Sequence, residues 1–224
     1  MSTPRIIVRC LATADADLDG DLALLDEHER AAAQRLRFDE DRADYIAAHG
    51  LRRRLLAEVL HRPAHGLRFV QDKVRGKPRL HGIARESVDF NLTHARGLSA
   101  CVVGLACMVG IDAEPAQRHI DDEVLSLYAA ARELQPPTPL ASSAARLSLW
   151  TLKEALVKAV GEGLDIDLRQ LHVSLDPPRL LLAPAEMGPA HDWHLVHWRA
   201  GPHHLASVAY RCDVPVRIEG LAEG

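Results

Sequence analysis

Long apolar runs are missing from this sequence. The longest, such as Leu180 to Ala183, fall far short of the roughly 20 residues a bilayer-spanning helix needs. The opening Met1-Ser-Thr-Pro-Arg lacks the charged-then-apolar layout of a secretory signal. Paired cysteines are missing too. The four present, Cys10, Cys101, Cys107 and Cys212, form no Cys-x-x-Cys motif and read as reduced, mostly buried thiols. These absences predict a cytoplasmic protein with no membrane partner. Positive charge is not in excess either. A formal net charge of −4 argues against a general nucleic-acid binder. An anionic substrate must then be met by local clusters of Lys and Arg.

What is present fits an ordinary globular chain: 224 residues, 47% hydrophobic and 26% charged. That length suits one large domain or two of about 110 residues. Histidine is abundant, and the densest group is His191, His194, His197, His203 and His204. Zinc comes to mind, but the intervals around Trp193 and Trp198 match no familiar ligand frame. A strand or loop face is the simpler reading.

Periodicity divides the chain into two like-built halves with a seam near residue 108 and no close sequence repeat between them. In the first half it predicts a strand over Arg5–Cys10, a helix over 21–35, and a longer helix from an Asp39 cap to about His61. Short strands follow near 67–71, 88–92 and 99–106. In the second it predicts a strand over 108–114 and a helix over 121–133. After the stiff Gln135-Pro-Pro-Thr-Pro connector, a long helix capped by Ser142 or Ser143 runs to Val160 and stops at Gly161. Strands near 171–175, 180–183, 193–198, 205–210 and 214–218 complete it. The fold class is α+β, with residues 1–108 and 109–224 as two subdomains.

Four segments carry candidate chemistry. Arg75-Gly-Lys-Pro78 is a tight turn presenting a lysine, and such turns are also plain surface loops. Phe90-Asn-Leu-Thr-His94 closes a strand with a hydroxyl and an imidazole, which commonly serve as structural hydrogen-bonders. In Gly110-Ile-Asp-Ala-Glu114, Asp112 and Glu114 project to one face of a strand. Such a pair is either a solvated strand end or is held together by a cation. In Trp150-Thr-Leu-Lys-Glu-Ala-Leu-Val-Lys158, Glu154 and Lys158 share a helix face. As an exposed pair they contribute only about 0.2–0.5 kcal/mol, but their face also carries Trp150 and abuts Leu147 and Ala155.

In order and spacing these segments resemble the 4′-phosphopantetheinyl transferases of the Sfp type. That family's pattern runs Gly-Lys-Pro, Phe-Asn-(Ile/Leu)-Ser-His, Gly-(Ile/Val)-Asp-x-Glu, then Trp-(Thr/Ser)-x-Lys-Glu-(Ala/Ser)-x-x-Lys-x-x-Gly-x-Gly-Leu. The motifs span residues 75–164, and the flanking elements extend the likeness over essentially the whole chain. The resemblance implies two α/β subdomains related by a pseudo-twofold, with the site in the cleft between them. It implies transfer of 4′-phosphopantetheine from coenzyme A to a serine of an apo acyl or peptidyl carrier protein, with Mg²⁺ (or Mn²⁺) and release of 3′,5′-ADP. It further implies Asp112, Glu114 and Glu154 as metal ligands. Lys73, Arg75, Gly76, Lys77, Pro78, Asn91, Thr93, His94, Glu154 and Lys158 become contacts to coenzyme A. Lys158 and His94 stabilise phosphate charge, and Glu154 or a water accepts the serine proton. One chain supplies both halves, so a monomer suffices. Two departures stand out. Thr93 replaces the usual Ser and keeps the hydroxyl. Ala32 falls where the family carries a first-helix base for the 3′-phosphate, leaving Arg30, Arg35, Lys73 and Arg75 as substitutes. The alternative from another class is a coenzyme A or carrier-protein binding module that no longer transfers.

Overall fold

The computed structural model describes residues 3–71, 76–135, 139–161, 166–212 and 216–221. Strand β1, Arg5–Ala12, leads into helices α1 (Leu18–Leu24), α2 (Glu27–Arg35) and α3 (Asp39–Leu60). A small ribbon follows, β2 (Phe69–Val70) with β3 (Arg79–Leu80), and then the hairpin β4 (Val88–Ala95) and β5 (Leu98–Leu105). The pattern then repeats. Strand β6 (Met108–Pro115) leads into α4 (Asp122–Tyr128) and α5 (Ser143–Val160). A ribbon of β7 (His172–Leu175) and β8 (Pro178–Leu182) precedes the hairpin β9 (Trp193–Arg199) and β10 (His204–Arg211). A last strand, β11, covers Ile218–Glu219.

The duplication lies in the strand order. The first sheet runs β11-β1-β5-β4 and the second β6-β10-β9. In each half the final hairpin strand returns beside the opening strand, antiparallel to it. The result is α+β, with one long helix covering each sheet. The C-terminal β11 crosses back to pair in parallel with β1 of the first half.

Side-chain alternation fixes the layers. Ile7, Cys101 and Val103 face Leu51, Leu55 and Leu56 of α3. The intervening Ile6, Val8, Ala100 and Val102 face Val109 and Ile111 of β6 and Val208 of β10. Leu149, Leu152 and Leu156 of α5 complete the second core. Cys101, Cys107 and Cys212 are buried free thiols, whereas Cys10 is exposed.

Three boundaries differ from the periodic reading. The helix expected over 21–35 is two helices, because Asp26 and Glu29 form a reciprocal capping box that starts a new one. Phe38, not Asp39, occupies the N-cap of α3, and Asp39, Glu40 and Asp41 fill the first turn, where carboxylates suit the helix dipole. The helix expected to reach Glu133 ends at Tyr128. Buried Glu133 instead accepts the Ala130 and Val173 amides and the Lys153 ammonium.

Candidate functional site

The two halves meet along the edges of β4 and β6, and polar side chains replace the missing ladder. Asp89 accepts the Val109 amide at 2.9 Å and Asn91 accepts the Ile111 amide at 3.0 Å. Edge amides that would otherwise be orphaned are thereby satisfied. The same two-residue step brings Thr93 to the Lys158 ammonium, 3.4 Å away.

Gly110 sets the distance between β6 and α5. A Cβ there would lie 2.1 Å from the Ala155 carbonyl oxygen and 2.3 Å from the Ala159 amide nitrogen. Those are backbone atoms, so only movement of the whole helix would make room. With glycine on the strand and alanines opposite, α5 rests directly on β6 and carries Glu154 and Lys158 to Asp112 and Glu114.

Asp112 is 4% exposed. Its Oδ1 accepts Lys158 Nζ at 2.5 Å, while Oδ2 is buried with no hydrogen-bond partner among the described residues. Such an atom carries a desolvation cost of about 1–3 kcal/mol, more for a charge. Glu114 Oε1 accepts the Trp150 indole N–H at 3.3 Å and the Arg118 guanidinium. That guanidinium also lies over the Trp150 ring, 5.1 Å from its centroid. Glu154 is half-buried and makes no hydrogen bond among the described residues. Burial raises its pKa, Lys158 opposes the rise, and Asp112 and Glu114 add to it. Burial likewise raises Glu114, against the pull of Arg118.

The expected residues do not all gather in one place. Thr93, Asp112, Glu114, Glu154 and Lys158 form one cluster. His94, one residue beyond Thr93, turns to the opposite face of β4. There it lines a groove of about 880 Å³ with Tyr45, Asp44 and Leu36. Desolvation lowers its pKa, with Asp44 opposing and Lys158 assisting.

Lys77, expected to contact coenzyme A, lies apart from that cluster. Its ammonium lies inside the seam, 2.6 Å from Asp89 Oδ2 and 2.6 Å from the Val109 carbonyl. Its backbone amide donates to the Gly161 carbonyl, and its stem packs on that glycine, whose φ is 69°. Burial pulls its pKa down to about 8 despite Asp89. Gly76 accepts from the Gln71 amide at 2.5 Å, and Pro78 is half-buried. Lys73 and Arg75 lie outside the described residues.

Among the described residues, no three His, Cys, Asp or Glu side chains form a ready-made metal cage. That holds for the C-terminal histidines, which find separate partners: His194 stacks on Tyr210, and His197 bonds Ser148 and Ser207. The Asp112 cluster nonetheless fits a hard divalent cation. It offers a buried, unclaimed carboxylate oxygen beside an unbonded glutamate, and Mg²⁺ characteristically takes only one or two protein carboxylates.

Comparison with known proteins decides the family. A model described as the 4′-phosphopantetheinyl transferase superfamily matches residues 108–212. Another, described as the N-terminal part of 4′-phosphopantetheinyl transferase, matches residues 12–105. The 4′-phosphopantetheinyl transferase HetI of Nostoc sp. is 30% identical over 192 residues, 84% of this chain and 78% of that protein. The chain belongs to the 4′-phosphopantetheinyl transferase superfamily. The human L-aminoadipate-semialdehyde dehydrogenase-phosphopantetheinyl transferase is 25% identical over 78% of this chain, which covers 63% of that protein. Membership makes the chain a transferase rather than a bare binding module. No described helix is long and apolar enough to cross a membrane.

Residues not anticipated from the sequence include Asp89, Arg85 and Arg118. Asp89 had a usable signal: Asp89, Asn91 and Thr93 alternate as polar residues on one face of an otherwise apolar strand. Arg85 bonds Asp89 and the Ala159 and Val160 carbonyls at the end of α5. Neither it nor Arg118 had a motif to mark it.

Proposed function

We propose that this chain, as an Sfp-type transferase, moves 4′-phosphopantetheine from coenzyme A to a serine of an apo acyl or peptidyl carrier protein. The observation that carries this reading is the cluster at the seam. Asp112 Oδ2 is buried and unclaimed while Lys158 holds Oδ1, beside unbonded Glu154. Asp112 and Glu154 would hold Mg²⁺, or Mn²⁺ in its place, with Glu114 as a third carboxylate. A cation held there would supply charge neutralisation of the pyrophosphate for in-line displacement.

The chain's own residues account for the rest. Lys158, fixed between Asp112 and Thr93, places a positive charge where phosphate oxygens gain charge in the transition state. The serine oxygen forms its bond to the pantetheine-bearing phosphorus as the bond to 3′,5′-ADP breaks. Glu154, whose pKa is raised by burial, is the side chain suited to accept the serine proton.

Coenzyme A's nucleotide end fits the groove beside His94. Of the four acids on its rim, Asp39 pairs with Arg42 and Glu40 with Arg96, while Asp44 accepts the Thr13 hydroxyl and Gly97 amide. Arg30 is spent on the Leu22 and Ala23 carbonyls. Arg35 is exposed with no hydrogen bond among the described residues, which favours it as the 3′-phosphate base. We place the subdomain boundary at residue 108 and take a cytoplasmic monomer as the working form.

The test is mass spectrometry of apo-carrier proteins incubated with the enzyme, coenzyme A and Mg²⁺. The expected result is one serine gaining the phosphopantetheine mass, with no gain in excess chelator. No gain on any of a panel of fatty-acid, polyketide and peptide carriers would overturn the reading.

A further inference from the structure

Helix α5 carries a polar stripe. Ser148, Thr151, Glu154 and Lys158 follow one another at steps of three, three and four residues, the spacing of a single helix face. The sheet beneath answers with a row of its own. Asp112 on β6 lies opposite Ser207 on β10, which lies opposite His197 on β9, and cross-strand partners share a face. Stripe and row join at three points. Ser148 Oγ is 2.9 Å from His197 Nε2, Thr151 Oγ1 is 2.8 Å from Ser207 Oγ, and Lys158 Nζ donates to Asp112 Oδ1. Within the row, His197 Nδ1 lies 3.0 Å from Ser207 Oγ. Thr151 and Ser207 are fully buried.

Each hydroxyl has one proton, so the directions follow. Thr151 donates to the Ser148 carbonyl and therefore accepts from Ser207. Ser207 in turn accepts from His197 Nδ1–H. Nε2 is left bare and accepts the Ser148 hydroxyl, which would otherwise turn to the Ala144 carbonyl. Desolvation lowers the pKa of His197, in keeping with a neutral ring.

Apolar contacts hold α5 against the sheet but have no direction along its axis. A slide of one residue, about 1.5 Å, would leave the leucines buried yet break every bond between stripe and row. We propose that His197, through Ser148, Ser207 and Thr151, is a positioning residue that fixes the axial register of α5, and with it the placement of Glu154 and Lys158 against Asp112. Gly110 sets how closely the helix lies, and the row sets where along its axis it stops. This rests on the transfer reading above.

The test compares His197→Phe and Thr151→Val with wild type in three readouts. These are kcat, KM for coenzyme A at saturating Mg²⁺, and Mn²⁺ affinity by electron paramagnetic resonance with coenzyme A present. Phe keeps the bulk of the ring. Ser148 then returns to the Ala144 carbonyl and Ser207 still donates to Thr151, so no hydroxyl proton is orphaned. His197→Phe is expected to lower kcat about tenfold, leave KM unchanged and weaken Mn²⁺ binding about threefold. Thr151→Val keeps the side chain's shape, removes the other hold and shows the same signature. Because the row acts as a unit, the double variant is no worse than the worse single. Leu149→Ala is the control. It cuts into the core under α5 without touching the row, so it lowers the melting temperature more than either variant but keeps kcat near wild type. Wild-type kcat and Mn²⁺ affinity in both His197→Phe and Thr151→Val overturn the proposal, as does a Leu149→Ala enzyme that loses kcat as they do. Wild type that neither binds Mn²⁺ nor transfers overturns the cation reading itself.

Discussion

Two acid–base clusters cross the same seam, and they differ in how completely they are satisfied. At one end Asp89 accepts Lys77, Arg85 and the Val109 amide, and both of its oxygens are used. At the other end Asp112 has Lys158 on one oxygen and nothing on the other. Both aspartates are buried, at 3% and 4% exposure. The saturated cluster is a lock, because every charge it buries is answered within the chain. The unsaturated one holds polar valence in reserve, and stability alone gives no reason to keep a bare carboxylate oxygen out of water. Conserving the lysine and the carboxylate types at both ends would not tell them apart; counting their partners does.

Breaking the lock has the largest expected effect. Asp89→Ala leaves Lys77 and Arg85 buried without a counter-charge, and removing one partner of such a group costs about 3–5 kcal/mol. Urea denaturation should show that loss, with transfer failing only as the protein unfolds. Lys77→Ala belongs to the same class. It should destabilise the fold and leave the KM for coenzyme A near wild type in the folded fraction. A raised KM with unchanged stability would return Lys77 to the ligand.

A third cluster, wholly within the first half, sharpens the point through pH. Glu29 accepts Arg52, Arg53 and His49. Burial pulls His49 down from 6.5 to about 4, with Glu29 opposing. For Glu29 burial acts upward, but His49, Arg52 and Arg53 outweigh it and hold the pKa at about 2. Both groups bind protons more readily when unfolded, so their stabilisation is complete above pH 6.5 and is lost as pH falls through these windows. A shift of the size seen for His49 corresponds to about 3 kcal/mol. Stability should decline from pH 6.5 downward, and His49→Phe should flatten the upper part of that decline. An unchanged profile would remove His49 from the account.

Gly110→Ala tests the contact that assembles the open cluster. The added methyl meets helix backbone, and overpacking of this kind costs about 1–3 kcal/mol. Displacing α5 by even an ångström is expected to lower kcat about a hundredfold. Retention of full activity would show that Glu154 and Lys158 need no such placement.

The smallest effect concerns the groove. Arg35→Ala should reduce the preference for coenzyme A over 3′-dephospho-coenzyme A about tenfold in kcat/KM, as expected for one charge-assisted contact. Arg30→Ala should leave it unchanged, and the reverse outcome would exchange their roles.

Much of this was legible in the sequence. The alternation of β4 and β6 and the cap and stop of α5 are written in local pattern, and the motif order pointed to the family. What escaped depends on distant partners. The break at Leu25–Asp26 carries no Gly or Pro, and the Asp26 and Glu29 of its capping box look like helix interior. The strand expected over 214–218 falls partly outside the described residues and is seen as β11 at Ile218–Glu219, but its pairing with β1, at the other end of the chain, has no local signal. A Gly-Lys-Pro turn does not reveal that the Lys77 amine is buried against Asp89. Thr93 and His94 read as one unit, although a strand sends neighbours to opposite faces.

The central claim is that the unsatisfied cluster holds the cation that transfer requires. Its most direct test is the rate of phosphopantetheine attachment to an apo-carrier serine as Mg²⁺ is titrated into wild type and Asp112→Asn. Asn keeps the shape and can still accept from Lys158 while removing the anionic oxygen. The account predicts a Mg²⁺-dependent wild-type rate that vanishes with chelator, and a loss of about a hundredfold or more in Asp112→Asn at saturating Mg²⁺ with the melting temperature unchanged or raised. A wild-type rate that persists in chelator, or an Asp112→Asn enzyme as fast as wild type, would contradict it.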